Sequence, residues 1–263
     1  MVDFPRVYSV AKKAALEAGQ VLLDGFRSDF KISKKGDIDL VTEMDLKVEG
    51  MILARIVAEF PDHQILAEEE GTCSGTSPYK WIVDPLDGTT NYAHGYQFFC
   101  VSIALEVEGK LVLGIVYDPI SREMFSAQRG RGAFLNDQPI KVSDESKLID
   151  SLLCTGFSYT QSGIRKNLQL FNRLIFQSRS VRRDGSAALD LCYVACGRFD
   201  GFWEAGLNPW DVAAGILIVE EAGGLVTSFN GCDCTIYDRE LLASNGEIHS
   251  QLVEFLQDNK SGN

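Results

Sequence analysis

The run Trp81–Tyr92, WIVDPLDGTTNY, constrains the chain more than any other stretch, because it brings two carboxylates, a proline, a glycine and two threonine hydroxyls to the end of one apolar segment. Trp81, Ile82 and Val83 favour a strand, and Pro85 with Asp87-Gly88 predicts a turn directly after it. Asp84 and Asp87 are therefore expected close together at a strand's carboxyl end. Carboxylates fixed that near one another repel unless a proton or a cation lies between them, and hard divalent cations such as Mg²⁺ take all-oxygen ligands. An Asp-Gly turn after a strand is also a common structural device, so this motif needs partners elsewhere in the chain.

Gly88, Thr89 and Thr90 follow the turn and are expected to open a helix, whose unpaired amides can receive either a cap or a phosphate oxygen. The two uses share one geometry, and the residues alone leave both open. Asp211 is similarly double: after Pro209 and Trp210 it stands at a helix start, where its charge complements the helix dipole with or without a metal.

Val7, Val10, Ala11, Ala14, Ala18, Val21 and Leu22 recur at helical spacing and predict a first helix ending near Gly25. The polar segment 28–39 carries Lys31, Lys34, Lys35 and Gly36, which suits a solvated loop and a phosphate-facing lid equally. Thr42 and Asp45 resemble a capping box opening a second helix that Pro61 stops. Strands at 65–67 and 80–83 would carry Glu68 and Asp84 to one sheet edge. A hairpin is expected around Gly109, with strands at 123–128 and 133–135 beyond it. After a polar boundary at 143–150, strands near Leu152 and at 199–203 alternate with helices at 165–176, 187–195 and 211–222, the last ended by Gly223-Gly224. The pattern is a mixed α/β protein, with an N-terminal lobe over 1–147 and a C-terminal lobe over 148–263.

A chain of 263 residues with 45% hydrophobic residues can bury a sizeable core. Its formal net charge of −12 argues against direct nucleic-acid binding or an anionic membrane surface. The apolar run Ile216–Val219 is cut off by Glu220 and Glu221, and MVDFPRVYSV has no apolar signal core, so a cytoplasmic protein is expected. The seven cysteines are odd in number and scattered, which suits reduced thiols. Cys192 with Cys196, and Cys232 with Cys234, lack the properly spaced second pair or nearby histidine of a zinc site.

The partners that Asp84 and Asp87 need are present. Asp39–Asp45 (DLVTEMD) and Ala67–Glu70 lie upstream, Gly185–Asp190 (GSAALD) and Trp203–Gly215 (WEAGLNPWDVAAG) downstream. In this order the set resembles the inositol monophosphatase family of metal-dependent sugar and polyol phosphatases, over nearly the whole chain. The resemblance implies a layered α-β-α-β-α sandwich and two or three Mg²⁺ ions per active site. It implies one ion held by Glu68, Asp84 and the backbone carbonyl of Leu86, a second by Asp84, Asp87 and Asp211, and a third, weaker ion near Glu68. Thr89 and Asp45 match the family's pair that orients and deprotonates a metal-activated water, with no covalent phosphoenzyme. Gly185, Ser186, Ala187 and Glu204 match positions that contact substrate ring hydroxyls, and Asp87, Gly88, Thr89, Thr90 and Asp211 line the phosphate side. Ala67 departs from the glycine often found before the metal-binding glutamate, and Glu69 and Glu70 leave the register of that glutamate to be fixed.

These residues predict Mg²⁺-dependent hydrolysis of inositol 1-phosphate and related polyol phosphate monoesters. The neighbouring possibilities are histidinol phosphate, fructose 1,6-bisphosphate and nucleotide 3′-phosphate. Lithium sensitivity and a homodimer are expected from the resemblance alone. A reading from another class is a regulatory binding protein of a transcription complex, a role some bacterial members serve.

Overall fold

The computed structural model describes residues 3–28, 31–34, 40–73, 75–158 and 160–257. Lys35, Gly36 and Asp39 of the sequence motifs lie outside the described residues.

The helices are α1 (Phe4–Gly25), α2 (Glu43–Glu59), α3 (Thr89–Ala93), α4 (Gln161–Leu174), α5 (Ala187–Ala195), α6 (Pro209–Glu221) and α7 (His249–Gln257). A ribbon pairs β1 (Ile32–Lys34) with β2 (Leu40–Thr42). Among the described residues an eight-stranded sheet contains β3 (Gln64–Ala67), β4 (Gly71–Cys73), β5 (Tyr79–Asp87), β6 (Cys100–Val107), β7 (Lys110–Asp118), β8 (Glu123–Gln128), β9 (Ala133–Leu135) and β10 (Gln138–Ile140). Its spatial order is β10-β9-β8-β7-β6-β5-β3-β4. A five-stranded sheet takes β11 (Leu152–Thr155), β12 (Ser180–Arg182), β13 (Gly201–Ala205), β14 (Leu225–Thr227) and β15 (Glu240–Ser244) in the order β12-β11-β13-β15-β14.

The strand period of two sorts residues onto opposite faces and so builds the layers. On β6, Val101, Ile103 and Leu105 join Ala11, Ala14, Val48 and Ile52 of α1 and α2 in one core, whereas Cys100 and Ala104 join Leu189, Ala214 and Leu217 of α5 and α6 in another. On β13, Phe202 faces that second core, and Trp203 and Ala205 face a third with Leu170, Leu174, Leu252 and Leu256 of α4 and α7. The order is helices, sheet, helices, sheet, helices, which is the expected α-β-α-β-α sandwich. Because α5 and α6 are covered by a sheet on each side, most of their residues are buried, and they read as apolar all round.

One local expectation changes. The turn predicted directly after Val83 is a strand that continues to Asp87, with a register shift between Asp84 and Asp87 against β6. Pro85 has no N–H to give the ladder, so pairing breaks there and resumes at Asp87 opposite Cys100. The true reversal is at Gly88, whose φ of +99° is a left-handed conformation that suits glycine.

Candidate active site

Parallel pairing of β3 with β5 sets Ala67 opposite Val83, so Glu68 and Asp84 leave adjacent strands side by side. Helix α3 starts immediately after Gly88 and supplies Thr89. Helix α5 starts after Ser186, whose hydroxyl accepts the N–H of Leu189 as a cap. Helix α6 starts after Asn208 with a capping box to Asp211, whose Oδ2 accepts the Asn208 N–H at 2.7 Å. One cleft therefore collects Glu68, Asp84, Leu86 and Asp87, then Gly88 and Thr89, then Gly185, Ser186 and Ala187, then Glu204 and Asp211. Thr90, expected among the substrate contacts, is outside that lining, and its Oγ1 is buried without a hydrogen-bond partner. A threonine one residue further into a helix turns about 100° away from its neighbour, which is why Thr89 and Thr90 do not share a face.

Asp45 does not line the cleft but lies beneath it with no exposed surface. Its Oδ2 accepts the Thr42 N–H at 2.8 Å and the Thr42 hydroxyl at 2.5 Å, and its Oδ1 accepts the Thr89 hydroxyl at 2.9 Å. The capping box read from the sequence thus leaves one carboxylate oxygen for Thr89. Burial pushes the Asp45 carboxyl above its ordinary range, and the bonds from Thr42 and Thr89 oppose that shift.

The cleft is acidic. Glu68, Asp84, Asp87, Asp190, Glu204 and Asp211 line it, against Arg183 as the one cationic side chain among the described residues there. Burial, then repulsion from Glu68, Asp87 and Asp211, drives Asp84 well above the usual carboxylate range. Burial raises Asp87 to about 6, against hydrogen bonds from the Ser186 hydroxyl and the Ala188 N–H. Asp211 is also raised well above its usual range, by burial and then by Asp87. Glu204 rises to about 8 through burial and Asp87, with Arg183 opposing. Its carboxylate lies 2.0–2.5 Å from where a Cβ on Gly156 would sit, so a side chain there would displace it.

Hard oxygen donors that are buried and mutually repelling, with so little cationic compensation, fit a divalent cation. Among the described residues no three His, Cys, Asp or Glu side chains form a ready cage. The carboxylates are turned onto protein donors instead: Asp84 onto the Leu86 N–H at 2.9 Å, Asp87 onto Ser186 and Ala188, Asp211 onto Asn208. Each of these bonds engages a single oxygen and leaves the other for a cation. All seven cysteine thiols are free of disulfides, with Cys192 buried and Cys232 exposed.

Several lining residues have no role in the sequence reading, although Leu207, Asn208 and Asp190 fall within its motifs. Gly156, Phe157 and Ser158 follow β11, and Leu207 and Asn208 precede α6. Asp190 is 1% exposed, and its Oδ1 has no hydrogen-bond partner. The usable signal was positional: each of these residues follows a strand or opens a helix of the second sheet layer.

Comparison with known proteins places the chain. The model of the inositol monophosphatase family matches residues 3–261. A protein named inositol-1-monophosphatase from Synechocystis sp. is 45% identical over 97% of this chain and 90% of its own length. A protein named Nus factor SuhB from Pasteurella multocida is 43% identical over 95% of each chain. The crystal structure of the extragenic suppressor protein suhB from Bartonella henselae superposes with a TM-score of 0.93 at 41% identity, covering 97% of this chain and 99% of that one.

Proposed function

The chain belongs to the inositol monophosphatase family and is an inositol-phosphate phosphatase, and from that premise we propose that it hydrolyses inositol 1-phosphate and related polyol phosphate monoesters with Mg²⁺. The observation that carries this reading is the meeting of Glu68, Asp84, Asp87 and Asp211 in one cleft above the Thr89–Asp45 pair.

Glu68, Asp84 and the Leu86 carbonyl would hold one Mg²⁺, and Asp84, Asp87 and Asp211 a second, with room in the proposal for a weaker third beside Glu68. When bound, the ions neutralise phosphoryl oxygens and stabilise the departing ester oxygen. The chain's own residues handle the proton. The Thr89 hydroxyl proton points to Asp45, so a lone pair on Thr89 Oγ1 can take a proton from the attacking water as its own proton passes to Asp45. The water oxygen bonds to phosphorus, the ester P–O bond breaks, and its electron pair leaves on the polyol oxygen, which takes up a proton. The Gly88 and Thr89 amides receive phosphate oxygens, while Glu204 and the Gly185–Ala187 turn receive ring hydroxyls.

A panel of inositol 1-phosphate, histidinol phosphate, fructose 1,6-bisphosphate and a nucleotide 3′-phosphate tests the substrate. The highest kcat/KM is expected on inositol 1-phosphate, and a tenfold preference for any other member would replace it. The proposal includes a cytoplasmic homodimer inhibited by lithium, and light scattering of the purified protein at twice the monomer mass supports its oligomeric part. No described helix is long and apolar enough to cross a membrane.

The relative named Nus factor SuhB favours a second reading, a binding role in a transcription complex. Capture of transcription proteins that persists in Asp84→Asn would establish that role apart from catalysis.

A further inference from the structure

Glu49 sits in the middle of α2 with no exposed surface, a position where a carboxylate is costly unless donors reach it. Its donors come from another part of the chain. The Glu69 N–H donates to Oε2 at 2.9 Å, and the Glu70 N–H donates to Oε1 at 2.7 Å. Both oxygens are thus committed to consecutive amides directly after Glu68.

Two features of the fold give this clamp a purpose. Strand β3 ends at Ala67, and Ala67 pairs with Gly71 of β4 on one side and with Val83 of β5 on the other, so 68–70 is the link whose path the ladders leave undetermined. One helical turn before Glu49, Asp45 reaches Thr89 in the segment after β5. Helix α2 therefore grips the link after β3 with one buried carboxylate and the link after β5 with another.

We propose that Glu49 is a positioning residue for the cation site, fixing the 68–70 link so that the Glu68 carboxylate is presented to the cleft beside Asp84. This rests on the reading of Glu68 and Asp84 as cation ligands. A purely structural clamp would lower stability and leave the Mg²⁺ affinity of the folded protein unchanged.

The test is calorimetric titration of Mg²⁺ alone into the full chain and into Glu49→Gln, with folding of each checked by thermal melting in chelator. Glutamine keeps the shape but turns one acceptor into an NH₂ group facing an N–H. The dissociation constant is expected to rise about 10- to 100-fold, the usual cost of losing a group that orients a metal ligand. An unchanged constant overturns the positioning role while leaving the cation site intact; a wild-type chain that takes up no Mg²⁺ overturns both. Hydrogen exchange in the wild type tests the clamp on which the positioning role depends even if the variant does not fold. Slow exchange of the Glu69 and Glu70 amides, with Mg²⁺ or with chelator, supports the clamp, and exchange at open-loop rates contradicts it.

Discussion

The Thr89 hydroxyl donates to Asp45 Oδ1 at 2.9 Å across 44 residues of sequence, joining the start of α3 to the first turn of α2. The same hydroxyl lies 3.0 Å from the Leu86 carbonyl, which the proposal makes a cation ligand. In the proposed mechanism, nucleophile activation and cation binding would thereby meet at one side chain.

Thr89→Val keeps the shape and removes the relay. A drop in kcat of about 10²- to 10⁴-fold is expected, the range for loss of a positioned proton-transfer group. Steady-state kinetics on inositol 1-phosphate check it, and a loss below threefold would take Thr89 out of the chemistry.

Much of this arrangement is legible in the sequence, for physical reasons that differ by element. The Thr42–Asp45 box, the α1 stripe and the hairpin at Gly109 are local signals, each complete within a few residues. Helix α5 was readable at its full bounds because Ser186 caps it. Strands β1, β2, β4, β10, β12 and β14 were not foreseen, since three residues give alternation little room to declare itself, although β9 of the same length was. Strand β15 and helix α7 also escaped. The carboxylates of the site were visible because they flank strand ends or, as Asp211 does, open a helix, but Glu49 reads as one more polar position on a helix. Its role depends on the 68–70 link folding back over α2, a tertiary fact.

The stability of the protein should respond to Mg²⁺ more strongly as pH rises. Asp87, with an ordinary value of 3.8, is raised to about 6, and Glu204, ordinarily 4.5, to about 8. A raised acid contributes stability that is fully present below its unfolded value and is lost as pH climbs through its folded value. In chelator, this contribution therefore fades from about pH 4 to about pH 8, while Mg²⁺ compensates for the charges that appear. At about 100 times its dissociation constant, Mg²⁺ adds roughly 2.7 kcal/mol per independent site. Melting curves with Mg²⁺ and with chelator at constant ionic strength should separate progressively from pH 5 to pH 8. A separation that shrinks over that range would contradict the account.

Glu204→Ala should damage recognition of the polyol more than the phosphoryl chemistry. Above about pH 8, Glu204 is ionised. A charge-assisted hydrogen bond contributes about 1.5–3 kcal/mol, so in assays there kcat/KM for inositol 1-phosphate should fall about 10- to 100-fold more than for a small aryl phosphate. Parallel losses on both substrates would mean that Glu204 supports Arg183 or the start of α6 instead.

Buried carboxylates in one cleft are proposed to hold the cations for phosphate ester hydrolysis, with Asp84 touching both. Phosphate release from inositol 1-phosphate by the purified chain and by Asp84→Asn, each with Mg²⁺ and with excess chelator, tests it most directly. Turnover is expected only for the unmodified chain with Mg²⁺, while Asp84→Asn keeps a cooperative melt and loses activity. Undiminished release by Asp84→Asn, or by the unmodified chain in chelator, would contradict the account.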